Sequence, residues 1–511
     1  MPDWTYHPLR PIADAVLGVR RSRLVALRAL AAVGRLPGGR GVVARALGHR
    51  HPPAHLAGSI AGIPIRVRLG AVVPPSVAVP AVRALPLVGA GLLEIAPVGP
   101  GDVETVRAAA RGRRVPVIVR TDDPEVAAAL VDHVDGVKAS WPVTHTADPD
   151  TTDAATALTG SDAIVLARPE VLLHAGPGWY GRVIEAATPT SPPSTTIGRN
   201  PLRWPPWWWG ALVGLGMVVA GLGAAAITLG PVLLWYDRDL LGTDLAGLHA
   251  VNHHLVGFLQ HDRITMAGTM VTIGVLYTAL ALGGLRRGHP WARDAYAVSG
   301  WIGFSTLVYF IGLGFVEPLH TAVAVVLFPM FLAATLPRTD PPQWTTPPTA
   351  RERERRWALV GQLLLVVTGI GLFIGGAVVS LVGLSDVFVA SDLTYLGVDA
   401  GTLSDRLVAF VAHDRAGFGG ALLSAAVAIT LLSAWGWRPG AVWVWWSLAV
   451  AAATGFLPAV LVHSGIHYTD FWHLAPVYAG IGFTALGLAL SYPYLCARGT
   501  TVVACRTPGN A

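Results

Sequence analysis

The sequence predicts a chain in two parts: an α/β soluble segment of about 200 residues, then an all-α polytopic membrane bundle of eight helices built as two four-helix repeats. Three observations predict this. First, 53% of the 511 residues are hydrophobic and only 13% are charged, and the apolar runs of about 20 residues all lie beyond residue 200. Second, the loops between those runs alternate between arginine-rich and arginine-poor. Third, the tripeptide His-Asp-Arg occurs twice in the apolar half, at His261-Asp262-Arg263 and His413-Asp414-Arg415, 152 residues apart.

The apolar half is read as helices at 207–235, 264–285, 297–316, 319–336, 357–384, 416–436, 440–462 and 472–495. Each is long enough to cross a hydrocarbon core of about 30 Å. Trp204 and Trp207-Trp208-Trp209 mark the first entry into the bilayer, as interfacial aromatics do. One set of loops holds thirteen arginines, from Arg199 to Arg506; the alternate set holds four, Arg238, Arg263, Arg406 and Arg415. The positive-inside rule then places both termini and the soluble segment in the cytoplasm, in a multi-pass protein of the cell membrane. Met1-Pro2-Asp3-Trp4 does not begin a charged-then-apolar signal pattern, so the soluble segment is expected to stay where it is made.

Net charge is +6, and Lys138 is the only lysine. The basic residues of the apolar half sit in short loops beside helices, which is a topology signal and argues against nucleic acid as a partner. Cys496 and Cys505 follow the last helix on the cytoplasmic side, which argues against a disulfide framework.

The repeat extends beyond the tripeptide. Gly303-Phe304 matches Gly455-Phe456 at an offset of 152, and His320 matches His473 at 153. Leu241-Gly242-Thr243-Asp244 resembles Leu396-Gly397-Val398-Asp399. Two units of four helices each, 207–338 and 357–495, share one orientation and are related by an axis along the membrane normal. Nine of the ten histidines beyond residue 205 fall on the outer face, with acids that include Asp237, Asp262, Glu317, Asp392 and Asp414. Segments 245–260 and 401–412 read as short amphipathic helices lying on that face.

Two readings of this face stand side by side. In the structural one, Asp262 and Asp414 cap the second and sixth helices, and Arg263 and Arg415 pair with them or anchor at headgroups. In the other, His249, His253, His261, His413, His463, His467 and His473 are candidate ligands of a divalent metal. His249 and His253, like His463 and His467, are spaced i,i+4, which would put each pair on one helical face. A quinone or haem site near the outer leaflet is a further alternative. Haem would want histidines on facing helices within the bilayer, which counts against it.

In the soluble segment, short apolar runs alternate with helical patterns. Val115-Pro116-Val117-Ile118-Val119, Gly136-Val137 and Ala163-Ile164-Val165-Leu166 read as buried strands of a parallel sheet. Residues 123–134 and 178–187 read as helices, and 188–206, rich in Pro, Ser and Thr, as an extended spacer.

Several blocks here carry a resemblance. Pro8-Leu9-Arg10-Pro11, Leu27-Arg28-Ala29-Leu30 and Gly34-Arg35-Leu36-Pro37-Gly38 open it. Gly62-Ile63-Pro64 through Ala71, Gly89 to Ile95, Val115 to Gly136, and Gly160 to Val183 follow in order. The segment resembles the class 2 dihydroorotate dehydrogenases, membrane-associated, quinone-using FMN enzymes with a TIM-type barrel. The resemblance implies an N-terminal helical hairpin over 1–57, a truncated TIM-barrel-like domain over 58–187, FMN as cofactor and quinone as partner.

The departures from that pattern bear on activity. Leu69-Gly70-Ala71-Val72-Val73-Pro74-Pro75 lacks the family's flavin-contacting lysine, and Arg120 stands where another such lysine is expected. Ala167-Arg168-Pro169 replaces the stretch that helps hold the FMN phosphate, and the catalytic serine has no counterpart. Independently, no Gly-rich turn leads into a helix N-terminus to cradle a phosphate. About 130 residues are also too few for an eight-fold barrel of about 250. The expectation is therefore a reduced or open barrel that is not an enzyme and binds no cofactor. A working FMN- and quinone-linked oxidoreductase is the alternative.

Overall fold

The structure is a computed structural model that describes residues 3–46, 53–188, 200, 204–312, 317–336 and 350–497. Most of the spacer expected at 188–206 and nearly all of the tail at 496–511 lie outside the described residues. The chain divides into two compact units, one formed by the N-terminal segment and one by the apolar half.

The first unit opens with helices α1 (Asp3–Leu17), α2 (Val19–Val33) and α3 (Gly39–Ala46), so the expected two-helix hairpin is followed by a third helix. Asp3 is buried and accepts from the backbone N–H of Gly178 at 2.8 Å and from the Arg182 guanidinium, which ties the first turn to the far end of the unit. A hairpin of β1 (Gly58–Ile60) and β2 (Ile63–Ile65) comes next. Six strands then form one sheet: β3 (Leu69–Val73), β4 (Leu92–Ile95), β5 (Val117–Arg120), β6 (Gly136–Lys138), β7 (Thr144–Thr146) and β8 (Val165–Ala167). Helices α4 (Ala78–Val88), α5 (Val103–Ala110), α6 (Pro124–Leu130), α7 (Thr152–Gly160), α8 (Pro169–Ala175) and α9 (Trp179–Ala186) alternate with them.

All neighbouring strands in the six-stranded sheet are parallel, and their order is β6-β5-β4-β3-β8-β7. Taken as a circle this is chain order, with β6 and β7 as the one adjacent pair that has no ladder. The β/α alternation is thus present. A closed eight-fold barrel is not found among the described residues, because six strands span the segment and one seam stays open.

Alternation along each strand separates two cores. Leu69, Ala71, Leu93, Ile95, Val117, Val119 and Val165 pack against the helices. Leu92, Ile118 and Leu166 point the other way and meet Trp141 and the hairpin residues Ile60 and Ile65. Trp141 lies between the two seam strands and donates its indole N–H to the Val119 carbonyl at 3.0 Å. A Cβ at Gly136 would come within 2.5 Å of its ring. The Trp141 ring thus covers the inner face of the sheet at β6, beside the open seam.

The second unit is helical. Its long helices are α10 (Pro206–Leu229), α13 (Leu255–Ala279), α14 (Pro290–Gly312), α15 (Pro318–Thr335), α16 (Glu352–Leu384), α18 (Asp405–Trp435), α19 (Val442–Gly465) and α20 (Phe471–Leu495). Short helices α11 (Trp235–Leu241), α12 (Leu245–Val251) and α17 (Ala390–Leu396) lie in the connections. Among the described residues, seven helices are long and apolar enough to cross a membrane. The eighth, α14, takes the place of the predicted third helix, although residues 313–316 at its predicted end lie outside the description.

Two predicted boundaries are wrong in the same way. The second helix starts at Leu255, not 264, and the sixth at Asp405, not 416. The C-terminal parts of the expected surface helices, residues 255–260 and 405–412, are the first turns of α13 and α18. Charged residues in those turns had hidden the helices from a hydropathy reading.

The repeat is built into the packing. α10 packs on α13 as α16 packs on α18, and α10 on α15 as α16 on α20. A Cβ at Gly214 would strike Thr278 Oγ1 at 2.4 Å, and one at Gly369 would strike Thr430 Oγ1 at 2.3 Å. Gly221 and Gly376 make matching approaches to the carbonyls of Ala267 and Gly419. These close crossings need glycine, as small residues let helix backbones approach in lipid. The central helices are α13 and α18, with 72% and 50% of their most apolar stretch buried against 22–33% in the other candidate spans. They are the helices that carry the two His-Asp-Arg motifs.

Candidate metal centres

Each motif reaches from one repeat into the other. Arg263 Nε donates to Asp414 Oδ2 at 2.8 Å, and Arg415 Nε donates to Asp262 Oδ2 at 3.2 Å. Each arginine also takes an acid from a short helix of its own repeat, Asp237 at 3.4 Å for Arg263 and Asp392 at 2.7 Å for Arg415. Each donates a second bond to a main-chain carbonyl, Val232 for Arg263 and Val387 for Arg415, at 2.8 and 2.6 Å. Phe410 lies under Arg263 and Phe258 under Arg415, each on the helix of the opposite repeat. The result is a buried, two-fold lattice of two guanidiniums and four carboxylates.

Asp262 and Asp414 are therefore not helix caps. Both sit inside their helices, and their partners are arginines of the other repeat. The backbone is held under strain to receive those arginines. Val232 and Val387 have φ of +61° and +66°, a conformation that β-branched residues avoid and that costs about 1–3 kcal/mol. The same outlier at equivalent positions marks it as part of the design. Burial pushes Asp237 above its ordinary carboxylate value despite Arg263. Burial also raises Asp392, but the Arg415 bond and charge outweigh it and leave Asp392 below its ordinary value.

The histidines of the two motifs cross over in the same manner. His261 meets His463 and His473 of the second repeat; His413 meets Glu317 and His320 of the first. In each trio the potential ligand atoms all lie within 4.8 Å of one another. His320 and His473 occupy the third position of α15 and of α20, so two members of each trio are equivalent, while Glu317 and His463 come from positions that do not correspond.

In the all-histidine trio, His261 Nδ1 donates to the Phe258 carbonyl, and His463 Nδ1 donates to the Ala459 carbonyl at 2.7 Å. Those acceptors place a proton on each Nδ1, as the outer partners of metal-binding imidazoles do, while His261 Nε2 lies 3.3 Å from Asp262 Oδ1. His463 Nε2 and His473 Nε2 face each other at 3.3 Å. Behind them Tyr468 donates to Asp392 Oδ1 at 2.8 Å and lies 3.5 Å from His473 Nδ1, so this trio is wired to the arginine lattice. Asp470 caps α20 through the His473 N–H at 2.7 Å, holding that ring at the helix entrance.

In the mixed trio, Glu317 is the hub. Its Oε1 accepts from Tyr236 at 2.8 Å, and its Oε2 contacts His320 and lies 3.5 Å from His413 Nε2. Burial would raise Glu317, but bonds from His320, His413 and Tyr236 hold it well below its ordinary value. It is an anion at neutral pH.

Comparisons with protein-family models, with curated proteins and with solved structures found no match to this chain.

Of the seven histidines proposed from the sequence, His261, His413, His463 and His473 enter these trios. His249, His253 and His467 do not, and all three are exposed. The i,i+4 argument fails for a local reason in both pairs. α12 ends at Val251 with Asn252 extended, so His253 leaves the helix that carries His249. α19 ends at Gly465, and His467 turns to φ +59°. Sequence reasoning did not place Glu317 and His320 among the ligands. The His320–His473 match was available as a signal, because an equivalent of a ligand in one repeat is a ligand candidate in the other.

Proposed function

We propose that this integral membrane protein binds divalent transition-metal ions, zinc by chemical preference, at His261/His463/His473 and at Glu317/His320/His413. The observation that carries the reading is the pair of facing Nε2 atoms of His463 and His473, 3.3 Å apart. With His463 Nδ1 committed to a carbonyl, its Nε2 turns a lone pair towards His473 Nε2, the place that a shared proton or a bound cation takes. Two nitrogens each about 2.05 Å from one tetrahedral ion would lie about 3.3 Å apart. Three histidines, or two histidines and a glutamate, each leave a fourth position open, as reactive zinc sites do. Metal analysis of the detergent-purified full chain tests this. Two ions per chain are expected, falling to one in His463→Ala and in His320→Ala; a protein free of metal after growth in zinc overturns it.

The arginine asymmetry of the loops supports the cytoplasmic placement of both termini and a cell-membrane location. For the soluble unit, the resemblance to class 2 dihydroorotate dehydrogenases, with the cyclic strand order, supports descent from that barrel without its catalysis. The C-terminal ends of the strands, where such folds act, hold Glu94, fully buried between Arg120 Nε at 2.8 Å and His145 Nε2 at 2.6 Å. An ion pair closing the mouth suits a docking module better than a flavin pocket. A yellow flavin chromophore in stoichiometric amount in the purified full chain would sink this part of the proposal.

A further inference from the structure

Glu317 and His320, the two members of the mixed trio that belong to the first repeat, line one end of a cavity of about 700 Å³ between α10, α13 and α15. The walls are apolar along most of their length: Leu215 and Val219 from α10, Met266 and Met270 from α13, Leu327 and Met330 from α15. The polar end gathers Tyr236, Asp237, Arg263, Glu317 and His320. Three wall residues, Leu215, Val219 and Val326, are more than half exposed on the bundle surface. The cavity therefore opens sideways, through the face that meets lipid.

We propose that this cleft holds a single-chain lipid with an anionic carboxylate head, a free long-chain fatty acid, whose head oxygen takes the open position of the metal at Glu317/His320/His413. The inference rests on the metal reading above. Size selects one chain. At roughly 30 Å³ per heavy group, the share of one water in the liquid, the cleft takes about twenty groups, which suits one chain of 16–18 carbons and its head. A diacyl phospholipid is too large. Polarity selects an amphiphile, because an apolar cavity of this kind does not fill with water.

Charge selects the role of the metal. At the polar end Asp237, Glu317 and Asp414 outnumber Arg263, and Arg263 is already engaged by Asp237, Asp414 and Val232. An acid head is repelled there unless a divalent cation is present. Bound metal changes that balance and supplies the one vacant ligand position.

The test uses the detergent-purified full chain with radiolabelled palmitate, and hexadecanol as the neutral-headed control. In the zinc-loaded protein, palmitate is expected to bind about one per chain and at least tenfold more tightly than hexadecanol. After chelation that preference should vanish. Gly223 lines the cleft, and a Cβ there meets nothing within 4 Å, so Gly223→Phe fills the space without touching a ligand. That variant should keep its metal and lose palmitate. Zinc-loaded protein that ignores palmitate, or binds both lipids equally, overturns the lipid proposal and leaves the metal sites standing. Palmitate bound as well by Gly223→Phe as by the unaltered chain also overturns it. Failure to bind zinc overturns the metal reading itself, and the lipid proposal falls with it.

Discussion

Replacing Arg415 with alanine is the sharpest test of how the two repeats are held. Arg415 is 6% exposed and is bonded to Asp262, Asp392 and the Val387 carbonyl. Asp392 is fully buried and Asp262 is 10% exposed, so neither can turn to water when the guanidinium is gone. Breaking a buried pair by deleting one partner costs about 3–5 kcal/mol, because the remaining charge stays desolvated. At about 2–4 °C per kcal/mol, the melting temperature should fall by roughly 6–20 °C. The eighteen tryptophans give the readout, by intrinsic fluorescence on heating in detergent. A companion variant, Arg415→Met with Asp262→Asn and Asp392→Asn, removes all three charges together. It should recover most of the loss, since a neutral set leaves no charge stranded. If Arg415→Ala melts within a degree of the unaltered chain, the lattice does not hold the repeats. If the neutral triple variant is less stable than the single one, stranded charge is not the reason for the cost.

Gly397→Ala should destabilise the bundle by about 1–2 kcal/mol, because the position has φ +63° with open space around it, leaving backbone strain as the sole cost; a thermal melt matching the unaltered chain would contradict this. In the N-terminal unit, Asp123 caps α6 through the N–H groups of Glu125 and Val126 at 2.9 and 3.2 Å. Asp123→Ala should cost about 1 kcal/mol, read as amide exchange about fivefold faster across residues 124–130 and not elsewhere. Arg120→Met should destabilise that unit by about 3 kcal/mol, since it leaves the Glu94 carboxylate wholly buried beside His145 alone. Glu94→Gln should cost only about 1 kcal/mol, because the Arg120 side chain is 39% exposed and can turn to solvent. Equal losses in the two variants would show that burial of Glu94 does not set the balance.

What the sequence determined by itself follows from periodicity and composition. Apolar runs of membrane length placed the long helices, because a span must satisfy its backbone internally and cover its surface with apolar side chains. Alternating apolar strands and helices gave the parallel sheet, and Val117, Gly136 and Val165 fall in strands near their predicted places. The twin His-Asp-Arg motifs revealed the repeat. Tertiary structure decided what the motifs do. A charged motif beside an apolar run reads as a helix entrance, yet His261 and His413 lie within α13 and α18, because their polar atoms are satisfied by the opposite repeat. A partner some 150 residues away leaves no local periodicity to read. A local reason made the i,i+4 histidine pairs misleading: spacing fixes a shared face only while the helix continues, and both helices end between the two rings. The two trios exist only where helix ends of one repeat meet the other repeat's motif.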